Sequence, residues 1–241
     1  MKNKQVFSFI ISLFLLFPFI IVQAQSSASD TFKDIRDGNV YSTILIGDQL
    51  WMAENLKYLP DVIGPDTGSV KEACYYVYGY QGTDVTEAMK TSNYKTYGVL
   101  YNWPAAMNNA DKSMDIQGRV QGVCPEGWHL PAVSEWNDLI EYLGGDGDAG
   151  CMLKESGSMH WLSPNPNATN ETGFTALPGG GRFRDRNFDV IGYYGIWSMA
   201  TEVSANEALR QLMYYDLCYL YRSSKNKANG FSVRCIKDSR P

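Results

Sequence analysis

The stretch GVCPEGWHLPAVSEWNDLIEYLGG, residues 122–145, constrains the fold of this chain more than any other. Trp136, Leu139, Ile140 and Leu143 fall at i, i+3, i+4 and i+7, which places them on one face of a helix. Pro131 precedes the apolar face and Gly144-Gly145 ends it, as start and stop signals do. Elsewhere the helical period is weak. A shorter helical piece is expected over 149–154, and DVTEAMK (84–90) reads as one or two helical turns.

The remaining text is β-like and rich in turns. NVYSTILIGDQLWMAENL (39–56) has two apolar runs around Gly47-Asp48, and glycine at the first loop position suits a type II′ hairpin. Residues 60–96 carry turn residues every few positions and are expected to be loops with one short strand. VLYNWPAAMN (99–108) is expected to begin as a strand and to bend at Pro104. TGFTALPGGGRF, GIWSMATE, ALRQLMYYDLCYLYR and NGFSVRCIKD read as short strands between turns. No internal repeat is present. Few helices among many short strands predict a single α+β domain with much irregular structure.

The N-terminus reads as an export signal. Lys2 and Lys4 lead into an apolar run from Val6 to Val22, and Val22 and Ala24 suit cleavage after Ala24. The rival reading, a membrane anchor, needs about 20 apolar residues; this run is shorter and contains Pro18. No cysteine follows it to carry a lipid. Residues 1–24 are therefore expected to be a signal peptide, 25–36 a flexible leader and 37–238 the domain. Membrane contact is expected only during export, and the destination is periplasmic, outer-surface or extracellular. Loss of two lysines makes the formal net charge of −5 two units more negative. An acidic chain without basic blocks is a poor partner for nucleic acid or an anionic membrane.

Export also permits disulfides. Five cysteines, Cys74, Cys124, Cys151, Cys218 and Cys235, leave at least one thiol over. A Cys151–Cys218 pair is available if the helical piece near 151 faces the strand near 218. No Cys-x-x-Cys occurs and there are only two histidines, which argues against a zinc site of ordinary spacing.

Six motifs occur in order: DGNVYSTILIGDQLWMAENLKY, YGVLYNWPAAM, CPEGWHLPAVSEW, LGGDGDAGCMLKE, NETGFTALPGGGRF and NGFSVRCIKD. Together they resemble the Fibrobacter succinogenes major paralogous domain, a secreted family of Bacteroidota and Fibrobacterota. More distantly, HLPAVSEW and GFSVRC are similar to motifs of formylglycine-generating enzymes, whose fold is a variant of the C-type lectin fold. The resemblance implies that α+β, C-type lectin-like fold here. It also implies a Cys124–Cys235 disulfide between the first helix region and the last strand. The chain departs from the family in three places. Ala132-Val133 stand where a capping Ser or Thr and an acidic residue are usual, Ile196-Trp197-Ser198 replaces a double tryptophan, and Cys74 lacks its customary partner.

The resemblance also frames the chemistry. Formylglycine-generating enzymes hold copper with two cysteines, and soft thiolates suit Cu(I). Here Cys218 is present but Ser223 stands where a second thiol is wanted, so an oxidase is disfavoured and no catalytic residue is expected. Trp136-Asn137-Asp138 matches a lectin calcium tripeptide but opens a helix, so the match reads as chance. His129 reads as a structural histidine. Asp146 and Asp148 are weak calcium candidates, better read as a solvated loop, and no cofactor is otherwise expected. The sequons at Asn167 and Asn170 read as a surface loop. Trp51, Trp103, Trp128, Trp136 and Trp197 read as core, although six Trp and sixteen Tyr are enough for a sugar-stacking surface. The expected function is an exported, non-catalytic binding or display module, its partner a glycan or another surface protein. A carbohydrate-binding protein and a formylglycine-type enzyme are the alternatives.

Overall fold

The computed structural model describes residues 30–108 and 119–238. The expected signal peptide and the leader up to residue 29 lie outside the described residues. The fold is mixed, mostly sheet with few helices.

Strands β1 (Thr31–Lys33), β2 (Val40–Ile46), β3 (Gln49–Met52), β6 (Trp128–His129) and β12 (Ile236–Lys237) form one sheet in the order β1-β2-β3-β12-β6. A second sheet runs β11-β10-β9, from β9 (Tyr194–Glu202), β10 (Glu207–Tyr214) and β11 (Leu220–Asn226). Two small pairs, β4 (Tyr75–Tyr76) with β5 (Leu100–Tyr101) and β7 (Gly181–Arg182) with β8 (Phe188–Asp189), complete the β structure. The helices are α1 (Val85–Lys90), α2 (Ser92–Tyr97), α3 (Trp103–Met107), α4 (Val133–Tyr142) and α5 (Asp146–Leu153).

The β2–β3 hairpin turns at Gly47, whose φ of 58° a side chain would resist. Helix α4 covers the periodic stretch and buries Trp136, Leu139 and Ile140. It ends where Gly144 and Gly145 take φ of 91° and 107°, and the Gly145 N–H donates to the Ile140 carbonyl at 2.9 Å.

Four expectations need correction. Residues 31–33, placed in a flexible leader, pair with β2 because Phe32 packs on Trp128 with ring centroids 5.2 Å apart. The strand expected to open 99–108 is β5, but Pro104 then sits in a helix rather than at a bend. Asn102 caps α3 by accepting from the Ala105 N–H at 3.0 Å, and proline in the first helical turn has no N–H left to satisfy. Helix α2 falls in a region read as loop; Thr91 caps it, and buried Tyr94 and Tyr97 hold it down. Finally, α5 begins at Asp146 rather than near 149, so Asp146 and Asp148 lie in its first turn, where carboxylates favour the helix dipole.

The C-terminal segment is the spine of the fold. Residues 227–236 are all buried. Gly230 bridges Arg182, Phe231 bridges Tyr101, Ser232 bridges Trp197, and Ile236 pairs with both Trp51 and His129. One apolar cluster gathers Tyr41, Met52, Tyr101 and Trp128 around Cys124 and Cys235. The other gathers Trp51, Trp136, Phe174 and Trp197, with Trp51 and Trp136 rings 5.0 Å apart.

Candidate functional site

In the second sheet β10 is the central strand and β11 an edge. Leu209 and Met213 of β10 pack into the second core, and Gln211 between them belongs to the same inward register. Arg222 of β11 is its direct antiparallel partner. Opposite them stands α4, whose Asn137 and Ile140 lie one turn apart, followed by Asp146 at the start of α5. These residues, with Tyr219 and Tyr221, line a cleft of about 370 Å³. It adjoins a second hollow over Glu141, Gly144 and Gly145, with Asn137, Ile140 and Asp146 shared between the two.

Two hydrogen-bonding groups of the residues that line the cleft are unmet, and both are shut off from solvent. Gln211 is 1% exposed, and its Nε2 donates to the Tyr221 carbonyl at 2.9 Å. A carbonyl accepts only, so the amide orientation is fixed with Oε1 as the other end. That Oε1 is buried without a partner. Arg222 Nη2 donates to Asn137 Oδ1 at 2.6 Å, while its buried Nε has no acceptor. Such groups are normally satisfied, and an unmet one costs about 1–3 kcal/mol.

On the other face of the sheet, in register with Leu212 and Ile196 rather than with Gln211, a row of tyrosines crosses the strands. Ring centroids are 4.5 Å apart for Tyr219–Tyr221, 4.8 Å for Tyr221–Tyr214 and 4.6 Å for Tyr214–Tyr194. Tyr219 and Tyr221 are 41% and 37% exposed. The rings meet edge to face or tilted, so they form an apolar ridge rather than a flat platform. Burial pushes the Tyr214 phenol up, and desolvation pulls the neighbouring Arg210 down to about 10.

The hairpin is held from beneath. Lys154 at the end of α5 donates to the carbonyls of Tyr214, Tyr215 and Leu217 at 3.1, 3.2 and 3.0 Å. Its desolvated ammonium is pulled down to about 8. A disulfide joins Cys151 of α5 to Cys218 in the hairpin turn, with Cα atoms 4.6 Å apart. The thiol weighed as a copper ligand is therefore bonded to sulfur.

The other residues singled out from the sequence, Asp146 excepted, do not line this cleft. Trp51, Trp128, Trp136 and Trp197 are buried, as is Trp161, which no motif had marked. Trp103 is only partly buried and lies under Lys227, with Nζ 4.3 Å from the ring centroid. His129 is buried between two carboxylates, with Nδ1 2.6 Å from Asp238 and Nε2 2.5 Å from Glu135. Pro131 accepts from the Ala200 N–H at 3.2 Å. Cys124 is bonded to Cys235, and Cys74 is a buried free thiol. Asp146 reaches the cleft rim while Asp148 does not line it. Among the described residues no three His, Cys, Asp or Glu side chains form a metal-holding group. Asn137, Gln211 and Arg222 were not picked out as site residues. The one legible signal was a glutamine at the inward register of a strand between Leu209 and Met213.

Compared with known protein families, residues 44–237 match the Fibrobacter succinogenes major domain. No curated protein and no solved structure matches the chain.

Proposed function

Since the chain belongs to the Fibrobacter succinogenes major domain family, we propose that it is an exported, non-catalytic module whose β10–β11 hairpin presents a binding surface. The single observation that supports this reading is the cleft beside α4, where Gln211 Oε1 and Arg222 Nε are buried and unmet. Two disulfides suit an oxidising compartment. Among the described residues no helix is long and apolar enough to cross a membrane. The overall arrangement is proposed to be a variant of the C-type lectin fold, with the last strand stapled to the first helix region by Cys124–Cys235.

The carbohydrate-binding reading is favoured over a protein partner by the size of the polar cleft, about 370 Å³, which suits a small ligand rather than a protein surface. A glycan array probed with the mature chain tests it, and a selective hit is the expected result. N-terminal sequencing of protein from its host tests export: Gln25 is expected at the start, and intact Met1 overturns it. The enzymatic alternative requires copper, so elemental analysis finding one copper per chain overturns the non-catalytic reading.

A further inference from the structure

We infer that a small cavity between the second sheet and the C-terminal segment binds one monatomic anion, chloride, with Arg210 as its chief ligand. The cavity shares no lining residue with the cleft beside α4 and does not depend on the binding-module reading. Arg210 lies on the Leu212 face of β10, opposite Ser198 of β9 and Ser223 of β11. It is 9% exposed, and its guanidinium carbon lies 5.0 Å from the Phe231 ring centroid. Its Nε donates to Ser223 Oγ at 3.3 Å. Among the described residues nothing accepts from Nη1 or Nη2, and no carboxylate pairs with the charge. Both nitrogens stay open to solvent, unlike the sealed groups of Gln211 and Arg222.

The other open groups around the cavity also donate. Ser198 Oγ has no partner among the described residues and is not sealed. Asn229 has its Oδ1 shut off while Nδ2 remains open, so its open end is the donating one. Lys227 is already committed to Glu202 and the Ala205 carbonyl, but Lys225 is exposed on the lining. Three of the ten lining residues are Lys or Arg and none is Asp or Glu, in a chain whose formal net charge is −5. A cation is therefore repelled. Desolvation pulls Arg210 down to about 10, opposed only by the Tyr214 and Tyr194 phenols. A counter-ion supplies the charge balance that a buried cation needs and that the protein itself leaves out. Size then decides which anion. The cavity is about 10 Å³, room for one water-sized atom. A carboxylate, phosphate or sulfate has several heavy atoms and exceeds it. A water molecule fits but leaves the guanidinium charge unbalanced.

The test is chlorine-35 NMR of the mature, disulfide-bonded chain in sodium chloride, paired with thermal melts at constant ionic strength in which gluconate replaces chloride. The wild type should broaden the chloride line, and its melting temperature should rise as chloride replaces gluconate, as ligand linkage requires. Bromide should act like chloride. Arg210→Met keeps an unbranched apolar stem against Phe231 but removes the charge, and should abolish both effects. If that variant fails to fold, Ser198→Ala removes one donor and should weaken chloride binding about tenfold, the equivalent of one hydrogen bond of about 1.4 kcal/mol. Line broadening as strong in a folded Arg210→Met or Ser198→Ala as in the wild type overturns the site. So does a melting temperature indifferent to the exchange of chloride for gluconate, the result if only water occupies the cavity. Acetate acting as strongly as chloride overturns the monatomic assignment.

Discussion

Cys124 and Cys235 stand 111 residues apart in sequence, yet their Cα atoms are 5.9 Å apart and their sulfurs are bonded. The bond closes almost the whole second half of the domain onto the start of β12, where Ile236, next to Cys235, pairs with Trp51 and His129. Closing a loop of roughly 110 residues stabilises by about 4–5 kcal/mol in the chain-entropy model. Cys124→Ser and Cys235→Ser are expected to lower stability to similar extents, about 2–5 kcal/mol, with the double variant no worse than either. Cys74→Ser should cost less, because that thiol is unbonded. Denaturant melts of the four variants check this, with non-reducing peptide mapping to verify the pair.

Acid should act first on the N-terminal strand. Asp34 is enclosed, and desolvation alone would raise its pKa; hydrogen bonds and charge from Arg36 more than offset this and hold it below the ordinary 3.8. Arg36 Nε and Nη2 grip the two carboxylate oxygens at 3.0 and 2.6 Å, and Nη1 donates to the Val123 carbonyl at 2.9 Å. A depressed folded value means the stabilisation is complete above the unfolded chain's pKa and is lost as pH falls through the folded one. Thermal melts of the wild type should therefore fall steeply below about pH 4, and Asp34→Asn should flatten that slope while lowering the plateau at neutral pH. Equal slopes in the two proteins would show that other carboxylates carry the acid transition.

Helix α4 lacks half of its cap. Glu135 Oε2 accepts from the Ala132 N–H at 2.9 Å, but alanine has no oxygen to return the bond to the first-turn amides. Ala132 already has the extended backbone of an N-cap, φ −87° and ψ 171°. Ala132→Ser should thus stabilise by roughly 1 kcal/mol. A calorimetric melting temperature that does not rise would mean the serine hydroxyl turns elsewhere.

The parts of the fold legible in the sequence are those set by local pattern. The period of Trp136, Leu139 and Ile140 marks α4, and the Gly47 turn marks the β2–β3 hairpin. What depends on distant partners was not legible. Strand β1 is three residues long and exists because β2 and Trp128 receive it. At Gly150 an added Cβ would come 2.3 Å from the Cys218 carbonyl oxygen, a contact invisible without knowing that α5 lies against the hairpin turn. The cleft was hidden for the same reason. Asn137 comes from a helix 85 positions before Arg222, and neither residue type at its own place carries a chemical signature.

Arg234 carries the sharpest test of the core. It is fully buried and donates to Asn55 Oδ1 from Nε at 3.3 Å and from Nη2 at 3.1 Å. It also donates to the Phe174 and Thr175 carbonyls, and its guanidinium carbon lies 4.2 Å over the Phe174 ring. Asn55 Oδ1 in turn accepts from Trp197 Nε1 at 2.9 Å, so one guanidinium joins the loop after β3, the 174–175 segment and β9. Desolvation, not a neighbouring base, pulls its pKa down to about 9, which marks how little water reaches it. A lysine cannot reproduce this fork of donors and would leave at least one carbonyl orphaned in the core. Arg234→Lys should accordingly destabilise by about 3–5 kcal/mol, as breaking a buried charged network does. Arg234→Met removes the buried charge as well as the donors, and is expected to cost less than lysine. Urea titrations rank the two: methionine worse than lysine would show that the donors to Asn55 and Phe174, rather than the cost of burying the charge, dominate at this position.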